Sequence, residues 1–339
     1  MKPKVLAYLN TYRRYNTTLT MALLSLINQT YKPDKIIVYD DNPEPVMDPN
    51  NVEHYKYLMS LCQEKGIEFW WEWAGKKGAH HNHEKANLLG FDFAWFIDDD
   101  NVAEPNVLEE LMKEMKDGVG VVGGIIRKPL AGPLPYNATG KIEDVWNGQN
   151  IAWYKWNGAV RECEHLYSGF LYRCNIVHHD LRLSKKVFRG ETMFTHSLFL
   201  KGYKLLCTPN AVTWHFESST GGCRTPEEEA TNQQMYNEDN QMFLQWLAFK
   251  KQNKKLYVLD SGLGDHYMFL QAFPLEKDAI YAVCYPDLFL GYNVISIAEA
   301  KKIVDIKDYD VYLWAERYNP KGHLIESFKQ MYAHINHTR

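Results

Sequence analysis

The sequence predicts an α/β protein in which a mainly parallel sheet carries helices on its faces, followed by a smaller C-terminal α/β domain. Three observations support this class. Over the first hundred residues, short apolar runs alternate with segments whose apolar residues recur at helical spacing. The helical segments have the length that right-handed crossovers between parallel strands require. Finally, 45% hydrophobic and 24% charged residues are typical of a globular chain of 339 residues.

The order of the predicted elements places a domain boundary near residue 250. In the first domain, residues 1–250, strands are predicted at 4–9, 35–39, 67–73, 91–97 and 118–126, and helices at 17–29, 52–65, 83–89, 101–116 and 227–251. Residues 128–160 are rich in Gly, Pro, Asn and Trp and predict a long loop. After a polar run, a small accessory domain, residues 255–339, has strands predicted at 256–259, 280–284 and 311–314.

Composition and charge narrow the classes of function. The net charge of −4 gives no general electrostatic case for binding nucleic acid. The N-terminus lacks the apolar stretch of a signal peptide, and the longest apolar run, residues 19–27, is too short to cross a bilayer. Six cysteines show no CxxC pair, which favours reduced thiols. These features predict a cytoplasmic protein without a membrane span.

An acidic run follows the fourth predicted strand directly. Asp98, Asp99 and Asp100 repel one another at a strand end, so a positive group is needed to compensate them. Carboxylates two residues apart can chelate one hard cation, and Mg²⁺ and Mn²⁺ both accept carboxylate and phosphate oxygens. The alternative is a helix N-cap formed by Asp100 or Asn101, but a cap needs one acid and not three.

Polar residues also end the first two predicted strands. Asn10 and Thr11 follow the first strand, and Asp40 and Asp41 follow the second. In open parallel sheets the ligand lies at the carboxyl ends of the strands. The sequence therefore predicts one site, built where these strand ends meet the acidic run at residues 98–100.

The opening of the chain resembles a known enzyme family. A strand ending in residues 10–14 (NTYRR), then a helix, residues 29–31 (QTY) and a strand ending in Asp40-Asp41 resemble the start of the inverting glycosyltransferases of family 2, which have the GT-A fold. Residues 98–100 stand where that family carries its metal-binding Asp-x-Asp. The resemblance implies a GT-A domain, a nucleotide-sugar donor, usually UDP-linked, and a divalent cation, Mn²⁺ or Mg²⁺.

The same resemblance implies which residues bind the nucleotide sugar. Thr11 and one of Asp40 or Asp41 are implied to contact the nucleoside, and Arg14 matches a position near the pyrophosphate. Residues 79–82 match an Ala-Arg-Asn run of the family. The full implied set is Thr11, Arg14, Asp40, Asp41, Asn82, Asp98 and Asp99.

A histidine stands in the arginine position of this run. His81 replaces the arginine, so this sequence assigns no phosphate contact there. For the cluster His80, His81 and His83, the alternatives are a zinc site, for which the helical spacing is unsuitable, and a solvated loop.

The second half of the first domain resembles the family less closely. Residues 188–216 resemble the segment that supplies the catalytic base and ends in a metal-binding histidine. The base falls on Glu191, where the family has an aspartate, and Gly190 stands where an acid is common. His215 is implied to complete the metal site with Asp98 and Asp100. The alternatives are a surface or capping role for Glu191 and a core role for His215.

The resemblance as a whole implies a metal-dependent, inverting glycosyltransferase that moves a sugar onto a hydroxyl of a glycan or glycoconjugate. Three alternatives stay open. One is a nucleotide-sugar-binding or carbohydrate-binding protein with impaired catalysis, which Gly190 motivates. Another is a nucleotidyltransferase, although residues 10–12 are not its usual glycine-rich basic loop. The third is a glycosyltransferase that acts on modified nucleic-acid bases, for which no basic stripe exists.

Three further segments are candidates for a role around the site. Residues 218–224 predict either a lid that excludes water, with Arg224 meeting a diphosphate, or an ordinary surface loop. The turn at residues 262–265 (GLGD) resembles the first turn of heptosyltransferase-like GT-B enzymes, and predicts a degenerate accessory domain. Four aromatic residues are candidates for stacking on a sugar or for core packing: Trp146, Trp153, Tyr154 and Trp156.

Overall fold

In the computed structural model of the chain, the residues described are 2–45, 47–129, 141–142, 158–217, 221–222, 229–251, 255–259, 262–277, 279–304 and 310–313. The chain divides into two compact units, residues 1–243 and 244–339. In the described part, no helix is long and apolar enough to cross a membrane.

The secondary structure alternates between strands and helices over the first unit. The strands are β1 Val5–Thr11, β2 Lys35–Asp40, β3 Glu68–Trp73, β4 Phe93–Phe96, β5 Asn101–Ala103, β6 Val119–Arg127, β7 Arg161–Cys163, β8 Phe170–Arg173 and β9 Lys204–His215. The helices are α1 Leu19–Ile27, α2 Glu53–Lys65, α3 Ala79–Asn87, α4 Val107–Glu114, α5 Gly190–Leu200 and α6 Glu229–Lys251, the last of which crosses the division between the units.

These strands form one sheet in the described part of the first unit. The order is β3-β2-β1-β4-β8-β6-β9-β5, and β7 pairs with β9 beside this path. The first four strands are parallel neighbours, as predicted. Strand β8 runs antiparallel to both of its neighbours, and β9 is parallel to β6 but antiparallel to β5. The carboxyl ends of β1, β2 and β4 therefore share one edge.

The two faces of the sheet are covered by different helices, because successive side chains of a strand point to opposite faces. One face carries Val5, Ala7 and Leu9 of β1 and packs against residues of α1, α2 and α4. The other face carries Leu6 and Tyr8 and packs against α3 and α5.

One predicted element, the helix at residues 101–116, is wrong in its first part. Residues 101–103 form β5, which pairs with the end of β9, and α4 begins only at Val107. Pro105 disfavours a helical conformation for the residue before it, so the helix cannot extend back to Asn101. The helix is also half buried instead of exposed, since its face with Val107, Leu108 and Leu111 lies in the core.

The Gln29-Thr30-Tyr31 signature has a structural role at the start of α4. The side-chain oxygen of Gln29 accepts a hydrogen bond from Leu108 N at 2.9 Å, and its amide nitrogen donates to Glu104 O at 2.8 Å. Thr30 donates to Glu109 at 2.7 Å. The glutamine thus satisfies one of the unpaired amides at the helix N-terminus and joins α4 to the turn after α1.

The second unit has a sheet of its own. Its strands are β10 Lys255–Leu259, β11 Ile280–Val283, β12 Asn293–Ile295 and β13 Asp310–Leu313, in the order β12-β11-β10-β13 with parallel pairs throughout. Helices α7 Leu263–Ala272 and α8 Ile297–Val304 connect them. Three of these strands match the predicted ones to within a residue or two, and β12 was not predicted.

Candidate active site

The predicted strand ends meet at one edge of the sheet. Thr11 and Asp40 are register neighbours on β1 and β2, and Asp41 N donates to Thr11 O at 2.9 Å. Thr11 also reaches the acidic run, because its hydroxyl donates to Asp99 Oδ2 at 2.8 Å. The expectation that these strand ends lie together is therefore confirmed.

Asp99 is held inside this edge by two partners. Thr11 bonds one carboxylate oxygen, and Arg14 Nη1 lies 2.7 Å from the other, Oδ1. Burial raises the pKa of Asp99 to about 6, against the opposing effect of the Arg14 charge. Both oxygens of Asp99 are thus engaged within the protein, and this carboxylate organises the site through Thr11 and Arg14.

Asp100 lies between a guanidinium and an imidazole. Arg14 Nη1 is 2.9 Å from Asp100 Oδ2, and His215 Nε2 is 3.4 Å from the same oxygen. The pairing of β5 with β9 sets this geometry, because Phe216 N donates to Asp100 O at 2.9 Å. Burial alone would lower the pKa of His215, but the hydrogen bond and charge of Asp100 outweigh it and raise that pKa.

Asp98 has a partner that the sequence did not indicate. The hydroxyl of Ser168 donates to Asp98 Oδ2. Ser168 and Gly169 both have left-handed backbones, with φ of 53° and 60°, immediately before β8. Burial raises the pKa of Asp98, and the Asp100 charge adds to that effect. A Ser-Gly pair just before a strand is the only signal that could have suggested this contact.

The three predicted metal ligands are neighbours with donor chemistry that fits a hard divalent cation. Asp98 and Asp100 offer carboxylate oxygens, and His215 offers an imidazole nitrogen. However, among the described residues no group of three or more His, Cys, Asp or Glu side chains is arranged to hold a metal ion. In this arrangement Arg14 supplies the positive charge that the acidic run needs.

The two acids at the end of β2, Asp40 and Asp41, differ in their surroundings. Asp40 is buried, and its Oδ1 accepts from Asn42 N at 3.1 Å and from Asn42 Nδ2 at 2.5 Å. Asp41 is half-buried and accepts from Gly78 N at 3.2 Å. Burial raises the pKa of Asp41, while the backbone amides of Gly78 and Lys77 act against it. Asp41 is therefore the better placed of the two for a ligand.

Helix α3 begins four residues earlier than predicted, and Gly78 before it bonds Asp41 at the site edge. Gly78, with φ of 100°, precedes the first turn of α3. A Cβ on Gly78 would lie 2.7 Å from His80 Cε1. Asn82 is buried on this helix, and its amide nitrogen has no hydrogen-bond partner within the described part of the chain. An unpaired buried amide is costly, which makes Asn82 a candidate for a ligand contact.

A buried network of aromatic and histidine side chains joins β1, α3 and β8, and the sequence gives no sign of it. Tyr8 OH lies 3.0 Å from His83 Nδ1 and 3.1 Å from Tyr172 OH. The His83 ring stacks on His179, and His179 stacks on Phe194 of α5 with ring centroids 3.9 Å apart. The histidine cluster of α3 is therefore not a solvated loop, one of the two alternatives that the sequence leaves open, since His80 and His83 are buried.

The two buried histidines of α3, His80 and His83, predict a pH dependence of stability. Burial lowers the pKa of His80 to about 4 and of His83 to about 3. In the unfolded chain the histidine pKa returns to about 6.5, so the unfolded state binds more protons below that pH. We therefore expect each histidine to lower the free energy of unfolding as pH falls from 6.5 toward 4, by up to about 1.4 kcal/mol per pH unit.

His83→Gln tests this prediction, because an amide can still bond Tyr8 OH but does not titrate. The raised pKa of Asp99 acts in the opposite sense, so the quantity to compare is the slope of unfolding free energy between pH 6.5 and 4.5 in variant and wild type. We expect a shallower slope for His83→Gln and an unchanged one for His54→Gln, since His54 is exposed. Equal slopes for all three proteins would contradict the assignment.

Glu191 lies in the first turn of α5, half-buried. Its backbone oxygen accepts from Thr195 Oγ1 at 2.8 Å, and the same hydroxyl oxygen accepts from Leu166 N at 2.9 Å. This contact joins the start of α5 to the segment that carries Ser168 and, through it, Asp98. A first-turn acid also complements the helix dipole, so the capping alternative for Glu191 stays open.

The missing acid at position 190 has a packing explanation. A Cβ on Gly190 would lie 2.5 Å from Val187 Cγ1, so a side chain there would have to displace the side chain of Val187. Val187 and Arg189 both have left-handed backbones, with φ of 53° and 68°. Asp239 of α6 holds this turn, since it accepts from Phe188 N at 2.9 Å. Strain of this kind is concentrated at functional sites.

Some of the predicted contacts lie outside the described residues. Of the candidate lid at 218–224, Gly221 and Gly222 are described, and Arg224 is not. Gly222 N donates to Tyr12 O at 2.8 Å, so this part of the segment lies against the turn after β1. The four candidate stacking residues are also outside the described part: Trp146, Trp153, Tyr154 and Trp156.

Residues 8–165 match the family model described as Glycosyl transferase family 2. This range contains the strand ends of β1 and β2 and the acidic run, but not Glu191 or His215. No curated protein matches the sequence.

Solved structures similar to this chain include glycosyltransferases. The crystal structure of GalNAc-T7 with UDP, GalNAc and Mn²⁺ has a TM-score of 0.51 and 13% identity, over 67% of this chain and 45% of that one. The structure of S. aureus TarS has a TM-score of 0.43 and 13% identity, over 80% and 49%. That of S. aureus TarS 1–349 has a TM-score of 0.44 and 12% identity, over 78% of each chain.

The similarity to solved structures is evidence about the fold of this chain. The chain spans about half the length of GalNAc-T7 and of full TarS, and at such identities the likeness to GalNAc-T7 shows the fold alone. The predicted GT-A fold is thereby confirmed. The family match and the fold together support a glycosyltransferase. The likeness of the second unit to heptosyltransferase-like enzymes stays a prediction.

Proposed function

We propose that this chain is an inverting glycosyltransferase that moves a sugar from a nucleotide-diphosphate donor to a hydroxyl of a glycan or glycoconjugate. One observation carries the proposal. Arg14, Asp99, Asp100 and His215 converge at the carboxyl edge of the parallel strands, in contact through distances of 2.7 to 3.4 Å, and Asp98 lies beside them. Charged groups of both signs at this edge fit a diphosphate that arrives with a divalent cation.

The nucleoside would bind beside this charged cluster. Asp41 and Asn82 lie on the loop after β2 and on α3, which flank the end of β1. Asp41 offers an acceptor and Asn82 an amide donor, so together they suit a base or ribose with both kinds of group. GalNAc-T7 was crystallised with UDP and Mn²⁺, which makes UDP the first nucleotide to test.

A divalent cation, Mn²⁺ or Mg²⁺, would be held by Asp98, Asp100 and His215. When bound, it would neutralise negative charge on the leaving diphosphate. Arg14 would donate hydrogen bonds to phosphate oxygens, since its guanidinium is already fixed by two carboxylates. Thr11 would orient Asp99 and so keep Arg14 in place.

Glu191 would act as the general base. Its carboxylate would take the proton of the acceptor hydroxyl while that oxygen forms a bond to the anomeric carbon of the donor sugar. The bond from that carbon to the diphosphate oxygen breaks with its electron pair going to the nucleotide. Because attack comes from the face opposite the leaving group, a single displacement inverts the anomeric configuration.

A second candidate function keeps the donor site but not the catalysis. The family acid at position 190 is replaced by a glycine whose Cβ would meet the side chain of Val187, and Glu191 alone would have to serve as base. A protein that binds nucleotide sugars without transferring them would have the same arrangement of residues at this edge of the sheet.

The acceptor class is also a proposal, and modified nucleic-acid bases are the alternative to glycans. The second unit is proposed to be an accessory domain, because it has its own parallel sheet and core.

Nucleotide binding tests the proposal most directly. A ligand that binds only the folded state raises the unfolding temperature, by about 5 °C at a concentration near 100 Kd. We expect such a rise with UDP plus Mn²⁺, a smaller one with UDP alone, and none with uridine. Radiolabelled UDP-sugars then separate transfer or hydrolysis from binding alone. The absence of a shift with UDP, GDP, CDP and ADP, each with Mn²⁺, would rule the proposed donor class out.

A further inference from the structure

Two glycines after β9 pack against the turn that follows β1. Gly222 N donates to Tyr12 O at 2.8 Å, which brings the backbone of residues 221–222 against the side chain of Arg14. Arg14 contacts Asp99 Oδ1 and Asp100 Oδ2 through Nη1. Its other terminal nitrogen, Nη2, faces Gly222. The guanidinium is therefore enclosed by two carboxylates and by a glycine backbone.

A side chain at either glycine would collide, but with different groups. A Cβ on Gly222 would lie 2.7 Å from Arg14 Nη2 and 2.9 Å from Arg14 Cζ. A Cβ on Gly221 would lie 2.7 Å from Tyr12 O and 2.8 Å from Arg13 O, which are backbone atoms, and 2.8 Å from Arg14 Cγ, at the base of the side chain and away from the guanidinium. Gly221 is thus required by the path of the chain, whereas Gly222 is required by the position of one guanidinium.

We infer that Gly222 is a positioning residue, which holds the guanidinium of Arg14 on the carboxylates of Asp99 and Asp100. The guanidinium is planar and rigid, so Nη2 and Cζ can move away from a new Cβ only if the whole group shifts or turns about Nη1. Either motion lengthens or misaligns the contacts of 2.7 and 2.9 Å that Nη1 makes with the two acids. The inference rests on the proposed function for its consequence, since Arg14 is the cation that a donor diphosphate would meet.

Displacement of Arg14 has two effects on a donor. The N–H groups of the guanidinium are no longer directed at the position of the phosphate. Charge-assisted hydrogen bonds depend on that geometry. In addition, Asp99 and Asp100 lose part of their compensation and repel an incoming diphosphate. We therefore expect Gly222→Ala to weaken binding of UDP with Mn²⁺ by about 10-fold.

The chain offers a matched control for the backbone cost. Gly66 ends α2 with φ of +69°, the same value as Gly222, and nothing lies within 4 Å of a Cβ built on it. Gly66→Ala therefore carries the left-handed strain of Gly222→Ala without the contact with Arg14. We expect Gly66→Ala to bind UDP with Mn²⁺ within about twofold of wild type, as measured by calorimetric titration.

A double-mutant cycle with Arg14→Lys isolates the contact. Lysine keeps the charge but has no atom at the Nη2 position. The Cβ added by Gly222→Ala therefore meets no guanidinium that it could displace. We expect Arg14→Lys to weaken UDP binding by about 10-fold, and Arg14→Lys/Gly222→Ala to be weaker than Arg14→Lys by no more than about twofold. Additive losses of about 100-fold in the double variant would overturn the inference.

Unfolding temperatures measured without ligand complete the same cycle. We expect Gly222→Ala to lower the unfolding temperature more than Gly66→Ala does, and this excess to disappear in the Arg14→Lys background. An excess that persists with lysine would overturn the positioning role, because the Cβ would then act on something other than the guanidinium. If the cycle shows coupling while wild type binds no UDP, the inference stands and the proposed donor class fails.

Discussion

Replacing Glu191 by glutamine is expected to lower sugar transfer by about 10²–10⁴-fold, the usual contribution of a general base. The amide has nearly the same size and cannot accept the proton of the acceptor hydroxyl. Binding of UDP with Mn²⁺ should remain within a few-fold of wild type, because the groups that would hold the donor lie on other elements: Thr11, Arg14, Asp41, Asn82, Asp98 and Asp100. Transfer is measured with saturating UDP-sugar and acceptor, and donor affinity by titration.

The control for this experiment is another acid in the first turn of a helix. Glu53 begins α2, is exposed and pairs only with Lys56 among the described residues. Glu53→Gln therefore removes the same helix-dipole interaction that the capping alternative assigns to Glu191, and it should leave turnover unchanged. Full turnover in Glu191→Gln would contradict the assignment of the base and favour the capping alternative. Loss of UDP binding with loss of turnover would instead place Glu191 in donor binding.

The parallel half of the fold could be predicted because its signals are local. The run from Lys35 to Asp40 is buried along its whole length, as a central parallel strand should be, and Gly66 ends α2 in the left-handed conformation. A strand end followed directly by acids also places those acids at the ligand edge once the strands are known to be parallel. The position of Asp98–Asp100 therefore follows from the sequence.

Features that depend on distant pairings could not be predicted in this way. Residues 101–103 form a strand only because the end of β9, more than a hundred residues later, pairs with them. Ser168 reaches Asp98 across 70 positions of sequence, and Gly222 reaches Tyr12 across an even longer separation. A histidine on α3 gives no local sign that it will bond Tyr8 of β1 in a buried network. Periodicity and local motifs carry no information about such contacts.

The structure also distinguishes the three acids of the run from one another by their partners. The three carboxylates were predicted as one group, but they have different partners: Ser168 for Asp98, Thr11 and Arg14 for Asp99. Burial raises the pKa of Asp98 and of Asp99, and these partners act against that rise. Asp100 differs because His215 approaches the same oxygen that Arg14 contacts. A cation bound at Asp100 therefore has to share or replace the contact with Arg14.

Asp100→Asn is expected to remove most of the Mn²⁺-dependent part of UDP binding, at least about 100-fold in affinity, because one charged ligand oxygen of the proposed cation site is lost. Asp99→Asn, a substitution in the same acidic run of residues 98–100, is the matched control. Both oxygens of Asp99 have internal partners, so its loss should lower the unfolding temperature and leave the ratio of UDP affinities with and without Mn²⁺ near that of wild type. Titration of UDP into both variants, with Mn²⁺ and with EDTA, measures that ratio. If Asp100→Asn keeps the wild-type ratio, the cation does not bind Asp100, and Arg14 would then be the positive charge that meets the diphosphate.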